Sequence, residues 1–125
     1  MVVDESELIA FLDHRPLFIG HCLLIPKAHV ASLEELPQDS VGPFFVAVQR
    51  LARAVEQAMG ADGTLVGLNN KVSQSVPHLH VHVVPRRRKD GLRGFFWPRQ
   101  KYPSVEAMRE CAARIAAAWE SLQRV

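Results

Sequence analysis

The chain has 125 residues, of which 48% are hydrophobic and 22% are charged, a composition typical of one globular domain rather than of a disordered chain. Its formal net charge of +2 is too small to indicate a nucleic acid or a membrane surface as its partner. No apolar run has the length of a membrane span, and the first residues lack the pattern of a signal peptide. Since two distant cysteines in such a chain are expected to stay reduced, the sequence predicts a cytoplasmic protein.

Hydrophobic periodicity predicts strands and helices in the order of two or three strands, a helix, two strands and a second helix. The strands are predicted at residues 2–3, 8–12, 17–25, 64–68 and 78–84, and the helices at residues 39–59 and 104–123. Asp39 or Ser40 can cap the first helix, Pro43 is tolerated in its first turn, and Gly60 can close it. Ser104 gives the second helix its N-terminal signal. This order predicts an α+β fold with an antiparallel sheet of about five strands and two helices. We expect one domain over residues 1–125, in which residues 85–125 form a basic loop and the C-terminal helix.

The most informative segment is a run of three histidines at alternating positions. His78, His80 and His82 share one face of the predicted strand, while the aliphatic residues between them point to the core. A neutral imidazole nitrogen is nucleophilic when the other ring nitrogen donates its proton to a fixed acceptor. Polar groups nearby can then stabilise charge on the oxygens of a phosphate under attack. The pattern therefore favours phosphoryl chemistry on a histidine.

A metal site is the main alternative for the three histidines, because histidine is the commonest metal ligand. His78 and His82 lie about 13 Å apart along a strand, which is too far for both to bind one tetrahedral zinc ion. An adjacent pair of these histidines together with a distant ligand such as His21 stays open as an alternative. We predict no metal site.

Three motifs together resemble the histidine triad family. Residues 78–84 match its signature, His-φ-His-φ-His-φ-φ, where φ is hydrophobic, at every position. The segment Gly20-His21-Cys22-Leu23-Leu24-Ile25-Pro26-Lys27-Ala28-His29 is similar to the upstream Gly-His-x-Leu-φ-φ-Pro-Lys-x-His element, and Asp13-His14-Arg15-Pro16 to an Asp/Asn-x-x-Pro element. The resemblance implies a nucleotide hydrolase or transferase that acts at the α-phosphate of nucleoside phosphoramidates or dinucleoside polyphosphates. It also implies a homodimer, with the sheet extended across the two subunits.

The resemblance also implies roles for single residues. His80 resembles the nucleophile, and His82 and His78 resemble the residues that contact or orient the α-phosphate. Gln74 and Ser75 resemble the polar pair that holds the phosphate and the leaving group. The remaining implied nucleotide-binding residues are Asp13, at the ribose hydroxyls, Asn69, with Asn70 as its alternative, and His21, which supports the triad from the neighbouring strand. For Asp13 a turn cap before Pro16 is the competing interpretation, and for His21 a packing role.

The expected partner is a purine nucleotide, with no nucleic acid and no membrane. No cofactor is expected, apart from a divalent cation that can accompany polyphosphate substrates. The Cys-x-x-Cys element that binds structural zinc in many relatives does not occur in this chain. Two alternative functions stay open: a nucleotide-binding protein of the same fold without catalysis, and a metal-dependent hydrolase. Beyond the motifs, Arg86 and Arg88 are predicted to meet a polyphosphate leaving group, since their spacing continues that of the histidines.

Overall fold

The computed structural model describes residues 1–74, 76–92 and 99–122. They fall into two compact units, residues 1–91 and residues 92–125. The first unit contains strands β1 (Val3–Asp4), β2 (Leu8–Leu12), β3 (Cys22–Pro26), β4 (Gly63–Gly67) and β5 (Val81–Arg86), a 3-10 helix (Leu33–Glu35) and helix α1 (Gln38–Met59). The second contains helix α2 (Val105–Leu122). None of the described helices is long and apolar enough to cross a membrane.

The five strands form one antiparallel sheet in the order β1-β2-β3-β5-β4. This confirms the predicted α+β architecture with two helices and five strands. In β5, Val81 and Val83 are fully buried and point to the side of the sheet that α1 covers with Phe44, Val48 and Leu51. The histidines occupy the alternating positions, so their side chains point away from the face that α1 covers.

Helix α1 begins one residue earlier than predicted, and the predicted caps Asp39 and Ser40 lie inside its first turn. Pro37 occupies the N-cap position and accepts a hydrogen bond at its carbonyl oxygen from the Ser40 N–H, without a side-chain cap. Pro43 lies beyond the first turn, inside the helix. Gly60 closes the helix in the left-handed conformation, with φ of 59°, as predicted.

The predicted strand at residues 17–25 is wrong over its first half. Residues 17–21 form a turn in which the His21 N–H donates to the Phe18 carbonyl and the Asp13 N–H donates to the His21 carbonyl. Gly20 has a φ of 103°, which an extended strand does not allow, and β3 starts only at Cys22. The aliphatic composition of the segment made this turn look like a strand. The turn places the His21 ring beside β5.

Helix α2 begins after Ser104, whose hydroxyl accepts a hydrogen bond from the Ala107 N–H at 3.0 Å. This confirms the predicted N-terminal cap of the helix. No residue of α2 is buried, and its predicted apolar face includes the exposed side chains of Ile115 and Trp119.

Candidate active site

The three histidines lie at the start of β5, but only His82 belongs to the strand. The ladder between β3 and β5 begins at Val81, so the predicted strand at residues 78–84 is wrong at its first positions. The alternation itself is retained, because Leu79 and Val81 are buried while His78, His80 and His82 are more exposed than they are. Two of the histidines therefore lie in the segment that leads into the sheet.

The ring of His80 is held by the backbone of its own segment. Its Nδ1 lies 2.7 Å from the carbonyl oxygen of His78. A carbonyl oxygen can only accept, so Nδ1 carries the proton, and in the neutral ring the lone pair is on Nε2. Within the described residues Nε2 of His80 makes no hydrogen bond, which leaves this nitrogen available to a substrate.

His78 and its neighbour Leu79 are bound to the last residue of β3 and to the segment that follows it. Nε2 of His78 donates to the carbonyl oxygen of Pro26 at 2.9 Å, and the N–H of Leu79 donates to the carbonyl oxygen of Val30 at 2.8 Å. The ring of His29 also meets that of His78 edge to face, with centroids 5.8 Å apart. Residues 26–30 therefore fix the position of His78 and Leu79, where the histidine segment begins.

His82 receives its orientation from the turn at residues 17–21. The N–H of Leu17 donates to Nδ1 of His21 at 3.0 Å, so neutral His21 carries its proton on Nε2. That Nε2 lies 3.0 Å from Nδ1 of His82 and donates to it. Neutral His82 therefore carries its own proton on Nε2. The backbone thus assigns opposite roles to neighbouring rings: a lone pair on Nε2 of His80 and a donor on Nε2 of His82.

The same surroundings favour the neutral form of this histidine pair. Burial lowers the pKa of His21, and the neighbouring Asp13 carboxylate opposes that effect. Burial also lowers the pKa of His82, and repulsion from the protonated forms of His21 and His80 lowers it further, again with Asp13 opposing. Both rings therefore stay neutral to a lower pH than an ordinary histidine.

Asp13, His21 and His82 form a cluster whose potential ligand atoms lie within 4.8 Å of one another. This spacing alone is compatible with a metal ion. However, a metal on Nε2 of His21 would move the ring proton to Nδ1, where it would face the N–H of Leu17, another donor. Because that hydrogen bond would have to break, the cluster fits a chain of hydrogen bonds better than an ion. The alternative metal site consisted of two adjacent histidines of the run together with His21. The observed cluster differs from it, because His82 is its only member from that run.

Asp13 takes part in the turn, which was the competing interpretation of this residue. Its Oδ1 accepts from the N–H of Arg15 at 2.9 Å, an Asx turn before Pro16. Its Oδ2 lies 3.7 Å from Nε2 of His21. The structure thus places Asp13 in the turn and at the histidine pair, and contact with a ribose stays a prediction.

Comparison with known proteins gives the same family as the three motifs. The model of the HIT domain matches residues 1–89. The chain belongs to the histidine triad family. The matched part is 34% identical over 93 residues to an uncharacterized HIT-like protein of Mycobacterium tuberculosis, covering 73% of this chain and 65% of that protein. It therefore spans slightly less than two thirds of that relative.

Two relatives in the family carry names of activities. An adenosine 5'-monophosphoramidase of Schizosaccharomyces pombe is 34% identical over 119 residues, covering 93% of this chain and 85% of that protein. A bis(5'-nucleosyl)-tetraphosphatase (asymmetrical) of the same organism is 32% identical over 83 residues, covering 65% of this chain but only 46% of that protein. Among solved structures, a HIT family protein of Bacillus subtilis superposes with a TM-score of 0.81 at 31% identity, covering 93% of this chain and 84% of that one.

In this histidine triad protein the loop between β4 and the histidines is tied to the 3-10 helix. Oδ1 of Asn70 accepts from the N–H of Leu33 at 2.8 Å, whereas Asn69 makes no side-chain hydrogen bond within the described residues. Gln74 donates through Nε2 to the carbonyl oxygen of Ala31 at 2.5 Å. Ser75 lies outside the described residues. The contacts of Gln74 and Ser75 with a phosphate stay predictions.

The basic segment after the histidines is anchored to the fold. The ladder between β4 and β5 continues through Pro85 to Arg86, whose guanidinium binds Asp90 through two nitrogens, at 2.6 and 3.0 Å. Arg87 donates to the carbonyl oxygen of Met59, and the N–H of Arg88 donates to Asp62 at 2.8 Å. The predicted polyphosphate contact of Arg86 would therefore compete with Asp90.

Two features that orient the residues of the candidate site were not predicted from the sequence. The first is the N–H of Leu17, a backbone group that no residue pattern reveals. The second is the 3-10 helix, for which a signal existed: Ser32-Leu33-Glu34-Glu35 fits the capping-box pattern. In the structure the carboxylate of Glu35 accepts from the backbone N–H groups of Ala31 and Ser32.

Proposed function

We propose that this protein is a nucleotide hydrolase or transferase that acts at the α-phosphate of nucleoside phosphoramidates or dinucleoside polyphosphates. The observation that carries the proposal is the bond from Nδ1 of His80 to the carbonyl oxygen of His78, which leaves the lone pair on Nε2. Such a nitrogen is a nucleophile without any prior loss of a proton. The activities named for the two Schizosaccharomyces pombe relatives support this substrate class.

In the proposed reaction Nε2 of His80 attacks the α-phosphorus, and the bond from phosphorus to the leaving group breaks as the N–P bond forms. The leaving group takes a proton from solvent. Water then cleaves the N–P bond, which releases the nucleoside monophosphate and restores His80. Throughout, the Nε2–H of His82 donates a hydrogen bond to a phosphoryl oxygen, where negative charge develops. In a transfer reaction a different acceptor replaces water.

We further propose that the active form is a homodimer in the cytoplasm and that it needs no cofactor, save for a divalent cation with polyphosphate substrates. The family membership supports the dimer, because the resemblance to the histidine triad family implies one. The two free cysteines, Cys22 and Cys111, support a reducing compartment.

A substrate panel tests the proposal. Purified protein is given adenosine phosphoramidate, diadenosine triphosphate and diadenosine tetraphosphate, with and without an excess of chelator. We expect turnover with release of AMP from at least one of them, and turnover of the phosphoramidate that the chelator does not abolish. Tight nucleotide binding without any turnover would instead support a non-catalytic nucleotide-binding protein, and loss of all activity in chelator would support a metal-dependent hydrolase.

A further inference from the structure

The loop at residues 70–74 is held to the 3-10 helix by a carboxylate that uses both of its oxygens. Oε1 of Glu34 accepts from Nδ2 of Asn70 at 2.7 Å, and Oε2 accepts from Nζ of Lys71 at 2.5 Å. These hydrogen bonds lower the pKa of Glu34, so the carboxylate is ionised at neutral pH. We call the contacts among Glu34, Asn70 and Lys71 the loop latch.

The loop needs such an external anchor because its own backbone is strained. Lys71 and Ser73 have φ values of 74° and 57°, in the left-handed region that side chains other than glycine rarely adopt. Within the loop the N–H of Lys71 donates to Oε1 of Gln74 at 3.2 Å. The position of Lys71 therefore affects that of the Gln74 amide directly.

Residues 26–34 bind both the loop and the histidines. The carbonyl oxygens of Pro26 and Val30 accept from the His78 ring and the Leu79 N–H, and the carbonyl oxygen of Ala31 accepts from the Gln74 amide. Glu34 then holds the next part of the loop. One continuous segment thus sets where Gln74 lies relative to the histidines.

We propose that Glu34 and Lys71 are positioning residues for nucleotide binding: the loop latch fixes where the Gln74 amide lies relative to the histidines, so that the phosphate is bound without reordering the loop. The proposal rests on the proposed function, in which Gln74 contacts the phosphate. Because neither latch residue contacts the reacting atoms, release of the latch is expected to weaken nucleotide binding and to leave the chemical step at saturating substrate unchanged.

The test measures the loop, nucleotide binding and kinetics in Glu34→Gln, Lys71→Met and the double variant. We expect the N–H of Lys71 to exchange with solvent faster in each variant, as followed by NMR. The Kd for AMP is expected to rise about two- to fivefold, the scale of an exposed ion pair. The double variant is expected to bind AMP no more weakly than either single variant, because both substitutions remove the same contact between Glu34 and Lys71. With adenosine phosphoramidate KM should rise by the same factor and kcat should stay within about twofold.

The chain offers a matched control in a second exposed ion pair, Asp4 with Lys27 at 2.6 Å, which joins β1 to the segment after β3. Asp4→Asn should leave the Kd for AMP and the exchange of the Lys71 N–H unchanged. Thermal unfolding of all variants shows whether the fold is intact.

Each outcome decides the proposal. Unchanged exchange in Glu34→Gln would show that the latch does not hold the loop, and faster exchange with an unchanged Kd would show that the latch does not position Gln74. An equal loss in Asp4→Asn would mean that only overall surface charge is involved. A wild-type protein that binds AMP but turns over no substrate would contradict the proposed function alone, since exchange and Kd still test the latch.

Discussion

The imidazole of His80 is the group on which the proposed chemistry depends. We expect His80→Ala to reduce turnover by more than about 100-fold, because the covalent step loses its nucleophile. The Kd for AMP should change little, since ground-state binding comes from several groups. Steady-state kinetics and calorimetry check both values. His14→Ala is a suitable control, since His14 is exposed. A variant that keeps a tenth of the wild-type rate would exclude His80 as the nucleophile.

The pair of His21 and His82 is expected to make stability depend on pH. Burial lowers both pKa values in the folded protein. As the pH falls towards and below the ordinary histidine pKa of about 6.5, the unfolded chain therefore binds more protons than the folded protein does. The free energy of unfolding should therefore decrease as the pH falls from about 7 to about 5. Denaturant unfolding at several pH values should show a smaller decrease for His21→Asn than for wild type. An equal decrease in both would mean that His21 is not the source.

The turn at residues 17–21 is the element that aims His21, and Gly20 allows it. A Cβ on Gly20 would meet Cγ of Met59 at 2.8 Å, and the φ of 103° is unfavourable for any side chain. We expect Gly20→Ala to destabilise the protein by about 1–3 kcal/mol. It should also lower activity, because the Leu17 N–H shifts away from the His21 ring.

Gly42 is the matched control for this substitution. It lies exposed inside α1, where an added Cβ would meet no atom within 4 Å apart from the neighbouring residues Val41 and Pro43 and the helix's own backbone. There alanine should change the free energy of unfolding by less than about 1 kcal/mol, because its helix propensity is opposed by the contact of its Cβ with the ring of Pro43. Chemical denaturation should show a clear loss of stability for Gly20→Ala and a much smaller change for Gly42→Ala. Equal small effects would mean that the turn is not constrained at Gly20.

At the scale of elements, the sequence was sufficient for the parts of the fold that bury a regular apolar pattern. Strands β1 and β2, helix α1 and the alternation around His80 were predicted because period and burial coincide. The start of β3 was not predictable from composition, because residues 17–19 are as apolar as a strand and only Gly20 signals the turn. The histidine motif predicted which side chains converge, but the tautomers of His21 and His82 depend on a backbone N–H whose direction only the structure gives.

At the scale of the whole molecule, we expect a homodimer. The single chain leaves apolar side chains exposed on α2, among them Ile115 and Trp119, and Val66 on the edge strand β4. Such exposed apolar groups favour association. Sedimentation velocity at micromolar concentration should give the mass of two chains. A monomer under these conditions would contradict the expectation, and it would leave the chemistry assigned to His80 unaffected.

The central claim, that a nucleotide becomes covalently bound to His80, is tested most directly by trapping the intermediate. The protein is mixed with adenosine phosphoramidate, quenched within milliseconds at alkaline pH, where phosphoramidate bonds to histidine survive, and digested for mass spectrometry. We predict that the peptide containing His80 carries one added adenylyl group, localised to that ring, and that His82→Asn still forms it, only more slowly. Turnover at the wild-type rate with no adenylylated peptide at any quench time, or with the group on another residue, would contradict the account.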